Sequence, residues 1–230
     1  MNIQGFQKLT LLDFPGVCAC TVFTAGCNLL CPFCHNSRLV LDCPKESEFS
    51  EEEILSFLKK RKGVLEGVAI TGGEPLIQPD IEDFIEKVRS LGFKVKLDTN
   101  GMLPKKLKSV IDKGLIDYVA MDVKASEKMY PAAVGIGKID ISPVKESIAL
   151  LLENRVDYEF RTTVTNEFHS LENIGGVGEL IKGAKRHYLQ LFKDSGELIG
   201  FGLTPVSKEN MLKMRDIMLQ YVDFCDVRGI

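Results

Sequence analysis

The chain lacks the features that would place it in a membrane, on nucleic acid or among the triad hydrolases. No apolar run approaches the ~20 residues of a bilayer span. The opening MNIQGFQKLTLLDFPG has no basic region leading into an apolar stretch, so neither a membrane segment nor a secretory leader is expected. Charge of one sign is also missing: 29 Lys and Arg against 32 Asp and Glu leave a net charge of −3, with no block of either. That balance excludes electrostatically driven binding of nucleic acid as the main activity. No P-loop, G-x-G-x-x-G fingerprint or Ser-His-Asp set is present, and Gly135-Ile136-Gly137 reads as a loop. Linkers, repeats and low-complexity tracts are absent too, so one domain over residues 1–230 is expected. What the chain does have is 230 residues, 45% of them apolar, with 13 Phe. That is ample for a core and argues against disorder. Its cysteines number seven, and three of them fall within eight residues. An odd, clustered set suits reduced thiols and a cytoplasmic location better than a disulfide framework.

Apolar strand-like runs alternate with amphipathic helical ones. Strands are expected over residues 17–24, 67–71, 94–98, 118–123, 158–164 and 187–192. Their β-branched and aromatic content suits a parallel sheet covered on both faces. Ser50 and Glu53 form a capping box ahead of Ile54, Leu55 and Leu58. Ile81, Phe84, Ile85 and Val88 make one apolar stripe, and Pro104 opens a helix over 104–113. Ser142-Pro143 opens another that carries Val144, Ile148, Leu151 and Leu152. A helix over 171–181 is weakened by Gly175, Gly176 and Gly178. The last helix runs through Met211, Met214, Met218 and Tyr221, where methionine serves as core filler, and a further strand is expected over 222–227. Such alternation means an α/β fold, either a barrel or an open doubly wound sheet. About six βα units fall short of the eight in a closed TIM barrel. The expectation is therefore a partial, open (β/α)6 TIM-type barrel, with a core over about 15–192 and an extension over 205–230. Chemistry belongs at the carboxyl ends of its strands.

Directly after the first of those strands comes Thr24-Ala25-Gly26-Cys27-Asn28-Leu29-Leu30-Cys31-Pro32-Phe33-Cys34-His35-Asn36. Cys27, Cys31 and Cys34 are three soft ligands on one loop, suited to three corners of a [4Fe–4S] cube. A missing fourth ligand leaves one iron open to a substrate or cofactor, whereas an electron carrier fills all four positions. Two other readings compete: Cys31-Pro32-Phe33-Cys34-His35 fits c-type haem attachment, and His35 with the cysteines could bind zinc, although adjacent Cys34 and His35 are poorly spaced for it. Cys18, Cys20, Cys43 and Cys225 are scattered and read as free thiols.

The C-x3-C-x-Φ-C run, with Phe33 as its aromatic position, resembles the signature of the radical S-adenosylmethionine (SAM) enzymes. From GFQKLTLLDFPG through TAGCNLLCPFCHN the chain resembles the activating proteins of glycyl-radical enzymes, above all those of anaerobic ribonucleoside-triphosphate reductase. Leu30 departs from the pattern, since many relatives carry Arg there. The resemblance implies a [4Fe–4S] cluster on Cys27, Cys31 and Cys34, SAM as cofactor, and Phe33 among the cofactor-binding residues. Thr71-Gly72-Gly73-Glu74-Pro75 is by itself a turn. By resemblance it is the motif whose backbone, at Gly72 and Gly73, and whose Glu74 receive the SAM amino group. Asp98 and Asp122, otherwise solvated strand ends, would contact ribose or a bound monovalent cation, and Lys124 the SAM carboxylate. Arg161 either reaches that carboxylate or forms an internal salt bridge with Glu159 or Asp157. Gln190 stands where related activases carry a late-strand His, and His169 reads as a cap or surface residue. The partners implied are a glycyl-radical enzyme, such as anaerobic ribonucleotide reductase, and a low-potential donor such as flavodoxin or ferredoxin. A small-molecule radical SAM enzyme of the deazaguanine-synthase type is the alternative, as is the activase of another enzyme such as pyruvate formate-lyase. A non-catalytic metal or electron-transfer protein is the third reading.

Overall fold

The computed structural model describes all residues except Cys43, Pro44 and Ser195, so the free thiol expected at Cys43 lies outside the described residues. One eight-stranded sheet runs in chain order: β1 (Ile3–Thr10), β2 (Ala19–Thr24), β3 (Gly67–Gly72), β4 (Lys94–Thr99), β5 (Tyr118–Asp122), β6 (Asp157–Val164), β7 (His187–Leu191) and β8 (Cys225–Arg228). Strands β1 and β2 are antiparallel, and every later pair is parallel. The order from β2 to β8 never reverses. A doubly wound sheet would turn back at a switch point, so the partial, open barrel is the architecture. Strand β8 extends it along β7, with His187 opposite Cys225 and Gln190 opposite Arg228. Strand β1 has no counterpart in the sequence reading, because its mixed run IQGFQKLT buries only Ile3 and Thr10, which suits an edge strand and carries little hydrophobic signal.

The helices are α1 (Ser37–Leu41), α2 (Glu51–Lys60), α3 (Ile81–Ser90), α4 (Pro104–Asp112), α5 (Tyr130–Ala133), α6 (Ser142–Leu152), α7 (Gly175–Leu180) and α8 (Lys208–Met218). Helix α2 starts on the capping box: Glu53 N–H donates to Ser50 Oγ at 3.2 Å, and Ser50 N–H to Glu53 Oε2 at 2.7 Å. The α3 stripe of Ile81, Phe84, Ile85 and Val88 is buried throughout, as are Met211, Met214 and Met218 of α8. Helix α7 is short, and its glycines have a packing role. A Cβ on Gly178 would sit 2.4 Å from the Tyr221 ring. Among the described residues, no helix is long and apolar enough to cross a membrane.

The sheet is covered on both faces, with consecutive buried residues in β2, β3 and β5, but its inner face is polar. In β4, Val95 and Leu97 enter the core beneath the helices while Lys96 and Asp98 alternate to the inside of the barrel. In β6, Tyr158 and Phe160 alternate in the same way with Glu159 and Arg161. The lumen is therefore charged. Its floor is closed by Glu159, which takes both Arg228 nitrogens at 2.9 Å and the Tyr118 hydroxyl at 3.1 Å. Arg228 also lies 3.4 Å from the Tyr188 ring centroid, a cation–π contact, and Phe14 packs against Tyr118 from below.

Candidate active site

The carboxyl ends of the strands open on a cavity of about 270 Å³. Its upper wall is the cysteine loop after β2, and the β3 turn holds that loop at both ends. Gly73 N–H donates to Thr24 O at 2.9 Å, Glu74 N–H to Gly26 O at 2.9 Å, and Asn36 Nδ2 to Gly72 O at 2.8 Å. A Cβ on Gly73 would lie 1.8 Å from Gly26 O. The two glycines are thus needed for contact with the loop itself, whatever else they meet.

Cys27, Cys31 and Cys34 all line the cavity, and all three are free thiols. Burial raises the thiols of Cys27 and Cys31, the latter to about 11. Holding them as thiolates therefore calls for a cation. Three thiols on one loop facing one cavity suit a cube, in which each ligand takes a different iron, and this donor set fits an iron–sulfur cluster. Leu29 N–H approaches Cys27 Sγ at 3.4 Å and Asn100 Nδ2 at 3.8 Å.

Opposite the loop lies a row of charges from three strands. Lys96 pairs with Asp98. Arg161 joins Asp98 at 3.0 Å and Asp122 at 2.9 Å, and Lys124 joins Asp122 at 2.9 Å. Three cations against two anions leave the row one positive charge in excess. Burial works to raise both carboxyls, yet the Arg161 guanidinium, with Lys96 and Lys124, holds them below the usual range. For Lys124, burial works downward, but Asp122 outweighs it and its ammonium stays charged. Lys124 ends the row beside the cysteine loop, 6.0 Å from the Phe33 ring centroid.

Arg161 does form an internal salt bridge, but not with Glu159 or Asp157. Asp122 and Arg161 are direct cross-strand neighbours, and such pairs meet more readily than residues along one strand. Glu159 is taken by Arg228 and Asp157 by Arg186. Glu74 is fully buried and is not among the residues that line the cavity. Its carboxylate accepts from Leu76 N–H at 3.1 Å, Thr99 Oγ1 at 2.9 Å and Asn100 N–H at 2.7 Å. Burial lifts its pKa to about 7 against those three donors. The Glu74-Pro75 pair carries a local signal in the sequence, since an acceptor before a proline caps a short helical turn, here Pro75–Ile77. His169 is neither a cap nor on the surface. It is buried in a loop, with Nε2 3.0 Å from Lys124 O. His35 stacks on Phe192 at 5.9 Å. Gln190 and Thr163 line the late-strand side of the cavity.

The sequence profile of the radical SAM superfamily matches residues 21–167. The chain belongs to that superfamily. Radical SAM proteins work with a [4Fe–4S] cluster and SAM, which are accordingly its cofactors. A Methanocaldococcus jannaschii protein, named provisionally as a glycyl-radical enzyme activating enzyme, is 31% identical over 99% of this chain and 96% of its own length. The pyruvate formate-lyase-activating enzyme of Clostridium pasteurianum is 27% identical, over 94% and 90%. A 7-carboxy-7-deazaguanine synthase of Koribacter versatilis is 30% identical, over 75% and 70%. The radical SAM fold has a solved counterpart in Streptococcus suis SuiB bound to SAM. Its TM-score is 0.69 at 15% identity, covering 90% of this chain and 49% of that one.

Proposed function

We propose that the protein is a radical SAM activase that abstracts a hydrogen atom from a glycine of a partner enzyme, leaving a glycyl radical. In this reading Cys27, Cys31 and Cys34 hold the cluster and leave one iron open. Lys124, at the positive end of the charge row, receives the SAM carboxylate. Asp98 and Asp122 face the nucleoside side or a monovalent cation, and Arg161 acts by keeping both carboxylates ionised. Gly72 and Gly73 offer backbone acceptors on the cavity wall, and Phe33 shields the loop. When bound, the cluster supplies the electron that splits SAM into methionine and the 5′-deoxyadenosyl radical, which takes the hydrogen atom. The chain's own task is positioning and exclusion of water, which explains the absence of a general acid–base pair from its motifs.

The observation that carries the activase over a small-molecule synthase is the state of the lumen charges. A synthase binding a polar metabolite inside the barrel needs unpaired groups aimed inward from the late strands. Among the described residues those strands offer the cavity Arg161, which is paired with Asp98 and Asp122, and the uncharged Thr163 and Gln190, while the charge of Arg228 is committed to Glu159. In this reading the open side of the barrel receives a peptide loop of the partner. The full-length similarity to activating enzymes points the same way, while the similarity to a deazaguanine synthase keeps the second reading in play. Anaerobic ribonucleotide reductase is the proposed partner, with flavodoxin or ferredoxin as electron donor. The test is anaerobic incubation of the reconstituted protein with SAM, a low-potential reductant and the reductase. A glycyl-radical doublet in electron paramagnetic resonance is expected. 5′-Deoxyadenosine formed without any such signal would favour the synthase.

A further inference from the structure

Asn100 follows the charge row at the end of β4, and each polar atom of its side chain is engaged. Met102 N–H donates to Oδ1 at 3.0 Å, while Nδ2 donates to Asn28 Oδ1 at 2.8 Å and to Cys27 Sγ at 3.8 Å. A backbone N–H can only donate, so Met102 fixes which end of the amide is oxygen and turns the NH2 group toward the sulfur. The main chain beneath it is pinned as well. Asn100 N–H and the Thr99 hydroxyl both donate to Glu74, whose carboxylate is fully buried and takes no part in the cavity wall.

We propose that Asn100 is a positioning residue whose amide donates to the Cys27 thiolate and raises the reduction potential of the cluster, and that Glu74 holds it there. A donor at a ligand sulfur draws off electron density and stabilises the more negative, reduced cluster. Leu29 N–H is a second such donor, but it belongs to the loop itself and moves with it. Asn100 comes from a separate strand, so it couples the cluster to the barrel through one hydrogen bond. The proposal rests on Cys27 being a cluster ligand.

The test is a redox titration of the reconstituted full chain without SAM, followed by electron paramagnetic resonance. Asn100→Leu should hold its iron and become harder to reduce. At a fixed poise its ratio of reduced to oxidised cluster should fall about tenfold, which for one electron is a 59 mV negative shift. An unshifted potential overturns the proposal. Glu74→Gln removes a negative charge near Cys27 as well as an anchor of Asn100. Its readout is therefore the hyperfine coupling of 15N-labelled asparagine side chains to the reduced cluster, which should weaken while SAM affinity is unchanged. Weakened SAM binding with that coupling intact would return Glu74 to the cofactor. Should Asn100→Leu take up no iron, wild-type protein labelled with 15N in its asparagine side chains decides. A hyperfine coupling to the reduced cluster is expected in pulsed resonance, and its absence overturns the hydrogen bond. Cys27→Ala separates the two possible failures. A cluster retained there overturns the ligand assignment, whereas a cluster lost there with Asn100→Leu unshifted overturns only the role of Asn100.

Discussion

At the scale of single residues, the site depends on a few contacts that admit no substitute. Arg161 is half-buried between two carboxylates. Its replacement by Gln would leave Asp98 and Asp122 with less compensation, at a cost of about 3 kcal/mol. Urea unfolding of the apoprotein should show that loss, and an unchanged midpoint would mean that the row is solvated instead. Gly73 has even less latitude, because a methyl group would meet Gly26 O at 1.8 Å. Gly73→Ala is expected to displace the cysteine loop and abolish iron uptake, as read by iron content and absorbance. The cysteines divide in the same assay: Cys31→Ala should lose the cluster, while Cys225→Ala, distant from the cavity wall, should keep it. The cysteine spacing was legible in one dimension because a metal cluster constrains ligands that are close in sequence. Glu74 and Arg161 were only half legible. Their types and strand-end positions were visible, but their partners lie on neighbouring strands.

At the scale of elements, local signals and packing sometimes disagree, and α7 decides between them. Helix propensity says that Gly178→Ala should stabilise by about 1 kcal/mol. The Tyr221 ring, 2.4 Å from where the methyl would sit, says the reverse. Overpacking of a close contact costs about 1–3 kcal/mol, so a net loss of stability is expected, relieved in the Gly178→Ala, Tyr221→Ala double variant. Thermal unfolding of the three chains checks it, and a stabilised single variant would refute the packing argument. The capping box of α2, the α3 stripe and the proline-led α4 were readable because each is satisfied within a few residues. Strand β1 was not, since an edge strand with a mixed pattern gains its stability from pairing with β2.

At the scale of the whole molecule, two buried histidines give the fold its acid sensitivity. Burial lowers His187 to about 3 and His169 to about 4. An unfolded chain takes up those protons below about 6.5, so each histidine removes stability as pH falls from there. Glu74, raised to about 7, works the other way between that pH and its ordinary value near 4.5. The wild-type curve therefore mixes signs, and a variant isolates one part. Between pH 7.5 and 5, His187→Gln should lose about 2 kcal/mol less stability than the wild type does. Parallel urea-unfolding curves across that range would contradict the buried, neutral His187. The linear order of residues determined the fold class, the cysteine loop and the placing of chemistry at strand ends, since each rests on short-range spacing or on alternation along the chain. Only the tertiary structure decided that the barrel lumen is charged, that Arg161 pairs with Asp98 and Asp122, and that the buried Glu74 accepts from Asn100 N–H. Those choices depend on strand register and on distances across the barrel, which bring together residues far apart in the chain.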